Sequence, residues 1–231
     1  VADFIIGIDL GTSNCAVAYT RPADGVKARV VDFAVPQLLR PGELASKPLL
    51  PSAIYAPLAG EFPEGSLKLP WGEPPRVTGE FARWQASRVP GRVVTSAKSW
   101  LIHQGVDRQA DILPWGASGD APRMSPVAAQ AALLKHLADA WNAAHPDAPI
   151  SQQEVVLTIP ASFDEAARAL TLQSARDAGF DLTKLSLLEE PQAAFYDFTS
   201  RHRDTLARAL ENVKLVLVVD VGGGTTDFSL V

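Results

Sequence analysis

IGIDLGTSNCAVA, residues 6–18, and VDVGGGTTDFS, residues 219–229, are the two stretches on which the fold is decided. Each opens as an apolar, largely β-branched run and stops at an aspartate followed by glycine and hydroxyl side chains. DFIIGIDL at 3–10 reads as a buried strand ending in a tight turn, with residues 16–20 as its hairpin partner around 11–14. KLVLVV at 214–219 reads as another buried strand, feeding Asp220 and the triple glycine 222–224. Glycine permits the close backbone approach and the unusual φ and ψ values that a cradle of N–H donors around phosphate requires. Thr and Ser hydroxyls add donors, and a carboxylate at each strand end suits Mg2+, which keeps much of its water shell. Neither loop has the G-x-x-x-x-G-K-[ST] or G-x-G-x-x-G spacing. A Gly-Gly-Gly-Thr turn alone is often only a turn. Two such loops, each after an apolar strand, point to a shared nucleotide-phosphate site.

Outward from these loops, residues 28–34 read as a third strand. Between 40 and 123 the texture changes, with eleven of the 18 prolines in that interval. Proline at this density breaks long regular elements, so the interval reads as a smaller, loop-rich subdomain embedded in the main one, with 57–75 as an exposed insertion. Trp71, Trp84, Trp100 and Trp115 fall here and are expected to fill a small core short of aliphatic residues. Regularity returns at Ser125-Pro126, a good N-cap and first helical residue, followed by apolar residues at helical spacing up to Trp141. EVVLTI at 154–159 reads as a buried strand closed by Pro160, and 164–178 as a helix stopped by Gly179. A short strand at 185–188, a helix from Pro191 to about Thr199 and a polar helix ending near Leu210 complete the alternation. Strands alternating with helices imply an α/β domain with a parallel or mixed sheet covered by helices.

The bulk numbers narrow the classes. The chain has 231 residues, 47% hydrophobic and 20% charged, which suits a globular protein with a sizeable core. A net charge of −5 gives no general attraction to nucleic acid or to an anionic membrane, so a phosphate ligand must be held by local geometry. Cys15 is the single cysteine, so no intrachain disulfide forms, and a reducing, cytoplasmic setting is the expectation. No apolar run approaches the roughly 20 residues of a membrane span, and the first residues do not read as a signal peptide. His103, His136, His145 and His202 show no metal-ligand spacing.

With VVLTIPASFDEAARALTLQSARDA at 155–178 and LEEPQAA at 188–194, the loops complete four motifs in one order. Together these resemble the ATPase domain of the seventy-kilodalton heat-shock, DnaK-type chaperones, over roughly residues 4–40 and 125–231. The resemblance implies an actin-like (ribonuclease H-like) ATPase fold of the α/β class, two lobes flanking a nucleotide cleft. Residues 1–39 and 125–212 would form the main subdomain of lobe I, 40–124 its embedded subdomain, and 213–231 the first strands of lobe II. It implies ATP or ADP with Mg2+ as ligands. Asp9, Asp220 and Glu190 would organise the metal through water. Gly11, Thr12 and Ser13 would contact the β- and γ-phosphates, and Gly222, Gly223, Gly224 and Thr225 would form the second phosphate loop, closed by Asp227. Lys98, in TSAKSWLI at 95–102, matches the family's catalytic lysine beside the γ-phosphate. Pro160 and Arg168 match the pair that relays nucleotide state.

Departures accompany the match. Ser13 and Cys15 stand in a loop that the family usually writes Gly-Thr-Thr-Asn-Ser, Ser99 replaces the usual Arg after the lysine, the stretch after Lys98 is short, and 57–75 looks inserted. These features point to a divergent bacterial branch. The family's ATPase domain continues well past the second loop and is followed by a peptide-binding domain. Hydrolysis that drives binding and release of unfolded peptides, and contact with cochaperones, are thus expected of a full-length protein. Residues 1–231 alone are expected to be inactive and to expose an edge at 216–231 open to self-association. A sugar kinase or cytoskeletal ATPase on the same fold, or a nucleotide-binding scaffold without hydrolysis, are the alternatives. The long match through 158–168 and 189–194 disfavours the first two.

Overall fold

The computed structural model describes residues 2–103, 105–117 and 121–231. Strands β1 (Ile5–Leu10) and β2 (Asn14–Thr20) form the expected hairpin, with Leu10 opposite Cys15. Ile6, Ile8 and Leu10 are buried, while Ile5, Gly7 and Asp9 alternate onto the other face. The third strand expected at 28–34 shrinks to β3 (Val31–Asp32). A 3-10 turn at Pro22–Lys27 takes up the preceding chain, and Val30 and Val31 stay exposed. Phe33 and Val35 enter the core instead, so the chain continues as β4 (Val35–Arg40), hairpinned to β5 (Glu43–Lys47).

The proline-rich interval is more regular than its composition suggests. It holds β6 (Leu49–Pro51), β7 (Ala53–Tyr55), β8 (Val77–Thr78), helix α1 (Glu80–Ala86), β9 (Val93–Thr95) and helix α2 (Ala97–Trp100). Strand β7 lies between β8 and β9 in a three-stranded sheet, and β6 pairs with β2. Leu38, Tyr55, Val77, Phe81 and Val93 form a second core there, joined by Trp71 and Trp84. The 57–75 stretch holds no named strand or helix and is largely exposed, as expected of an insertion, but it is anchored at points. Leu67 and Leu69 are buried, and Glu61 accepts two hydrogen bonds from the Arg92 guanidinium at 2.5 and 2.9 Å. That bidentate pairing holds the Glu61 carboxyl down to about 2. Trp115 also departs from expectation: it is 63% exposed and stacks on Trp100.

Helix α3 (Pro126–Ala144) starts as its sequence directs, with the Ser125 hydroxyl accepting from the Ala128 N–H at 3.0 Å. Beyond it come β10 (Glu154–Ile159), α4 (Glu165–Asp177), β11 (Leu185–Glu189), α5 (Glu190–Arg201), α6 (Leu206–Ala209), β12 (Leu217–Val221) and β13 (Thr226–Leu230). Asp164 caps α4, and Gly179 ends it in the left-handed region at φ 92°. The main sheet has the order β11-β10-β1-β2-β3, with β10 parallel to both β1 and β11. Its buried face packs on α3 and α4 around Trp141, whose indole N–H donates to the Ala148 carbonyl at 2.9 Å. Strands β12 and β13 pair with each other. Leu217, Val219 and Val221 are exposed, so the burial expected of the 214–219 run is absent among the described residues.

His136 joins the two cores. From α3 its ring accepts from the Thr78 hydroxyl at 2.6 Å through Nδ1 and donates to the Pro36 carbonyl at 2.9 Å through Nε2. Both partners belong to the second layer, on β8 and β4. The tautomer follows from the carbonyl, which can only accept. Burial pushes the ring down to about 4 from an ordinary 6.5. The folded value lies below the unfolded one, so the stability tied to the neutral ring is complete above pH 6.5 and drains away as pH falls toward 4. Between pH 7 and pH 5 the protein is expected to lose about 2 kcal/mol more than a His136→Gln variant. Urea unfolding at the two pH values measures the difference, and equal losses would contradict the buried neutral ring.

Candidate functional site

Three parallel strands end on one rim. Asp9 near the end of β1 pairs in register with Thr158 of β10, and Ile159 pairs with Glu189 of β11, directly before Glu190. Ligands of open α/β sheets gather at such carboxyl ends, where helices begin and strand backbones run out. Here the rim borders a cleft of about 560 Å3. Asp9, Gly11, Thr12 and Ser13 line one side, and Asp220, Gly222, Gly223, Thr225 and Asp227 another. Lys98 and Glu190 line the same cleft. Gly224 is outside the lining but sits against Thr12. Every site residue expected from the sequence is therefore in or beside one cleft.

The glycines serve close approach more than unusual backbone angles. Gly11, Gly222, Gly223 and Gly224 are absent from the described glycines with positive φ. A Cβ at Gly223 would run into the Ser13 hydroxyl, and one at Gly224 would come within 3.1 Å of the Thr12 methyl. At Gly11 it would meet the Asn14 carbonyl. The two loops thus touch, and a side chain at 223 would have to displace the Ser13 hydroxyl. In the second loop Asp220 faces Asp227 across the hairpin, and the Gly222 N–H donates to the Thr225 carbonyl at 2.9 Å.

Lys98 is not a solvated surface lysine. It lies on α2, is 9% exposed, and forms a close ion pair with Glu190, the first residue of α5. Ser96, two residues earlier, holds the left-handed conformation at φ 54° and ψ 32°. A non-glycine residue there costs about 1–2 kcal/mol, and it turns the chain from β9 into α2 so that Lys98 faces Glu190. Burial raises the Glu190 carboxyl above its ordinary value; Lys98 opposes the rise, and Asp9 and Asp220 add to it.

Thr158 is the residue that the sequence reading missed. Its hydroxyl donates to Asp9 Oδ1 at 2.9 Å, fixing that carboxylate on the rim. The signal was a lone hydroxyl in the apolar run EVVLTI, on the face opposite the buried Val155, Leu157 and Ile159. Arg168 is tied to the same rim from outside. Its guanidinium donates to Glu189 at 2.6 Å and to the Phe163 carbonyl at 3.2 Å, and Pro160 borders the cleft. Asp9, Asp220 and Glu190 form a hard oxygen donor set around one space, and their charges are felt at Glu190. Among the described residues no three His, Cys, Asp or Glu side chains gather tightly enough to hold a metal directly. This chemistry fits a cation that keeps its water shell.

Comparison with known proteins places the chain among known families. A family model described as "Hsp70 protein" matches residues 81–231. The chain is 32% identical over 241 residues to the Chaperone protein HscA homolog of Methylobacillus flagellatus, covering 97% of this chain and 31% of that protein. It is 30% identical over 238 residues to the Chaperone protein DnaK of Stenotrophomonas maltophilia, covering 98% and 32%. The Chaperone protein HscA of an Enterobacter species is 29% identical over 239 residues. The chain spans under a third of the length of these relatives. No helix among the described residues is long and apolar enough to cross a membrane.

The opposed influences on Glu190 give a direct check. Removing the ammonium leaves a buried carboxyl facing two other carboxylates, so Lys98→Met should make Glu190 titrate at higher pH than in the wild type. Carbon-detected NMR titration of the carboxyl reports it, and an unmoved or lowered midpoint would contradict the pairing.

Proposed function

The chain belongs to the Hsp70 family, whose ATPase domain has an actin-like fold, and from that premise we propose that it supplies the phosphate-binding side of an ATP-hydrolysing chaperone site. The observation that carries the reading is the contact between the two Asp/Gly/hydroxyl loops across a cleft that also holds the Lys98–Glu190 pair. On this reading residues 1–39 and 125–212 act as lobe I, 40–124 as its embedded subdomain, and 213–231 as the start of lobe II. Thr12, Ser13 and Thr225 offer hydroxyls, and both loops offer backbone N–H groups, to the phosphates of ATP or ADP. Mg2+, when bound, would neutralise phosphate charge, its waters held by Asp9, Asp220 and Glu190. Phosphoryl transfer needs positioning and charge stabilisation more than covalent help from the protein. Lys98 suits that role as a buried point charge that can reach a γ-phosphoryl oxygen and orient the attacking water. Glu190 holds the ammonium in place, and Thr158 holds Asp9.

Pro160 lines the cleft, and Arg168 bonds Glu189 at the end of β11, next to Glu190. We infer that Pro160 and Arg168 pass the state of the cleft to a peptide-binding region, with unfolded peptides and cochaperones as partners of the full-length protein. A cytoplasmic setting agrees with the single buried Cys15. In the full-length protein, Lys98→Ala is expected to lower ATP turnover by about 10²–10³ while leaving ATP affinity within a few-fold. Phosphate release and titration calorimetry separate the two quantities. Unchanged turnover would remove Lys98 from the chemistry, and absence of turnover in the wild type would favour a nucleotide-binding scaffold.

A further inference from the structure

Ser52 stands behind the first loop, at the junction between β6 and β7. It is buried, and it holds the loop by two bonds. Its hydroxyl donates to the Gly11 carbonyl at 2.6 Å, and its N–H donates to the Ser13 carbonyl at 2.9 Å. In a trans peptide the C=O of one residue and the N–H of the next point in opposite directions. Anchoring the carbonyls of Gly11 and Ser13 therefore turns the N–H groups of Thr12 and Asn14 away from Ser52, outward from the interior. The Ser52 hydroxyl is itself held. Since it donates to a carbonyl, its contact with Cys15 Sγ at 3.4 Å is one in which the thiol donates. Burial, which pushes that thiol up to about 12, keeps it protonated for the purpose.

The same junction reaches Lys98. Ala53, next to Ser52, pairs with Thr95 of β9, and three residues later the chain delivers the lysine into the cleft. We propose that Ser52 is a positioning residue: it sets the phosphate-facing donors of the 11–14 loop and fixes their register against Lys98. The proposal rests on the nucleotide reading above and adds to it a residue from the embedded interval that touches no ligand.

The test compares ADP with adenosine, which lacks the phosphates this loop would hold, in the full-length protein. Ser52→Ala should weaken ADP binding about tenfold, the size of one well-made hydrogen bond, with adenosine binding unchanged. Ser52→Thr, which keeps the hydroxyl, should restore ADP affinity to within about threefold. Amide hydrogen exchange across residues 11–15 should quicken in Ser52→Ala and not in Ser52→Thr. If Ser52→Ala does not fold, the near-isosteric Ser52→Cys takes its place and should show the same selective loss of ADP. Unchanged ADP affinity, or equal losses for ADP and adenosine in a folded variant, overturns the positioning role alone. A wild type that binds neither ATP nor ADP overturns the nucleotide reading and this inference with it.

Discussion

Strand β1 lies between an antiparallel partner reached by a tight turn and a parallel partner 149 residues further along the chain. The second pairing is the constraint on which the rest depends. Parallel strands cannot be joined by a hairpin, so the chain between them must leave the sheet and return. What it builds on the way is the embedded sheet, α1, α2 and α3. Once β10 lies beside β1 and β11 beside β10, Asp9, Thr158 and Glu190 fall on one rim because the strands share a direction. The pairing is held from below by a single packed layer, where Ile6, Ile8, Val155 and Leu157 meet Leu134, Leu137 and Trp141.

The excursion through 40–124 has a chemical result as well as a topological one. It leaves the main sheet at β6, which still pairs with β2, and delivers Lys98 opposite Glu190. A buried ion pair of this kind adds little net stability, because removing two charges from water costs several kcal/mol per ion and their attraction only offsets it. Its value lies in discrimination: a misregistered interval would leave a carboxylate and an ammonium buried apart. The left-handed Ser96 belongs to the same economy of structure, since a turn that tight is kept only where its surroundings dictate it.

Much of this was legible in the sequence, for reasons that can be named. Helix α3 announces itself through Ser125, Pro126 and helical spacing, and α4 through Asp164 and Gly179, because capping is local chemistry. The two loops were visible because an aspartate followed by glycine and hydroxyl residues ends an apolar strand twice in one chain. The hairpin β4–β5 was not, since Pro36 and Gln37 argue locally against a strand and are overruled by burial of Val35 and Leu38. The burial of Leu67 and Leu69 and the Arg92–Glu61 tether were hidden for the same reason: they depend on partners distant in sequence. Lys98 was identified by resemblance, but its burial and its pairing with Glu190, 92 residues away, carry no local signal. Thr158 could have been found, since a hydroxyl at the end of an apolar parallel strand has one face to point to.

On the proposed reading, the charges of the cleft decide the order in which its contents can be accommodated. Asp9, Asp220 and Glu190 face one lysine, and Asp227 stands across from Asp220. Such a set repels a bare phosphate chain, whatever the number of N–H donors in the loops, because donor dipoles fall off faster with distance than net charge does. A divalent cation held through water by Asp9, Asp220 and Glu190 would offset that repulsion, leaving hydroxyls, backbone N–H donors and the Lys98 ammonium for the phosphates. The acidic rim and the glycine loops are therefore complementary halves of one device. On that reading the rim would favour phosphate accompanied by a cation, and the loops would hold the phosphate chain.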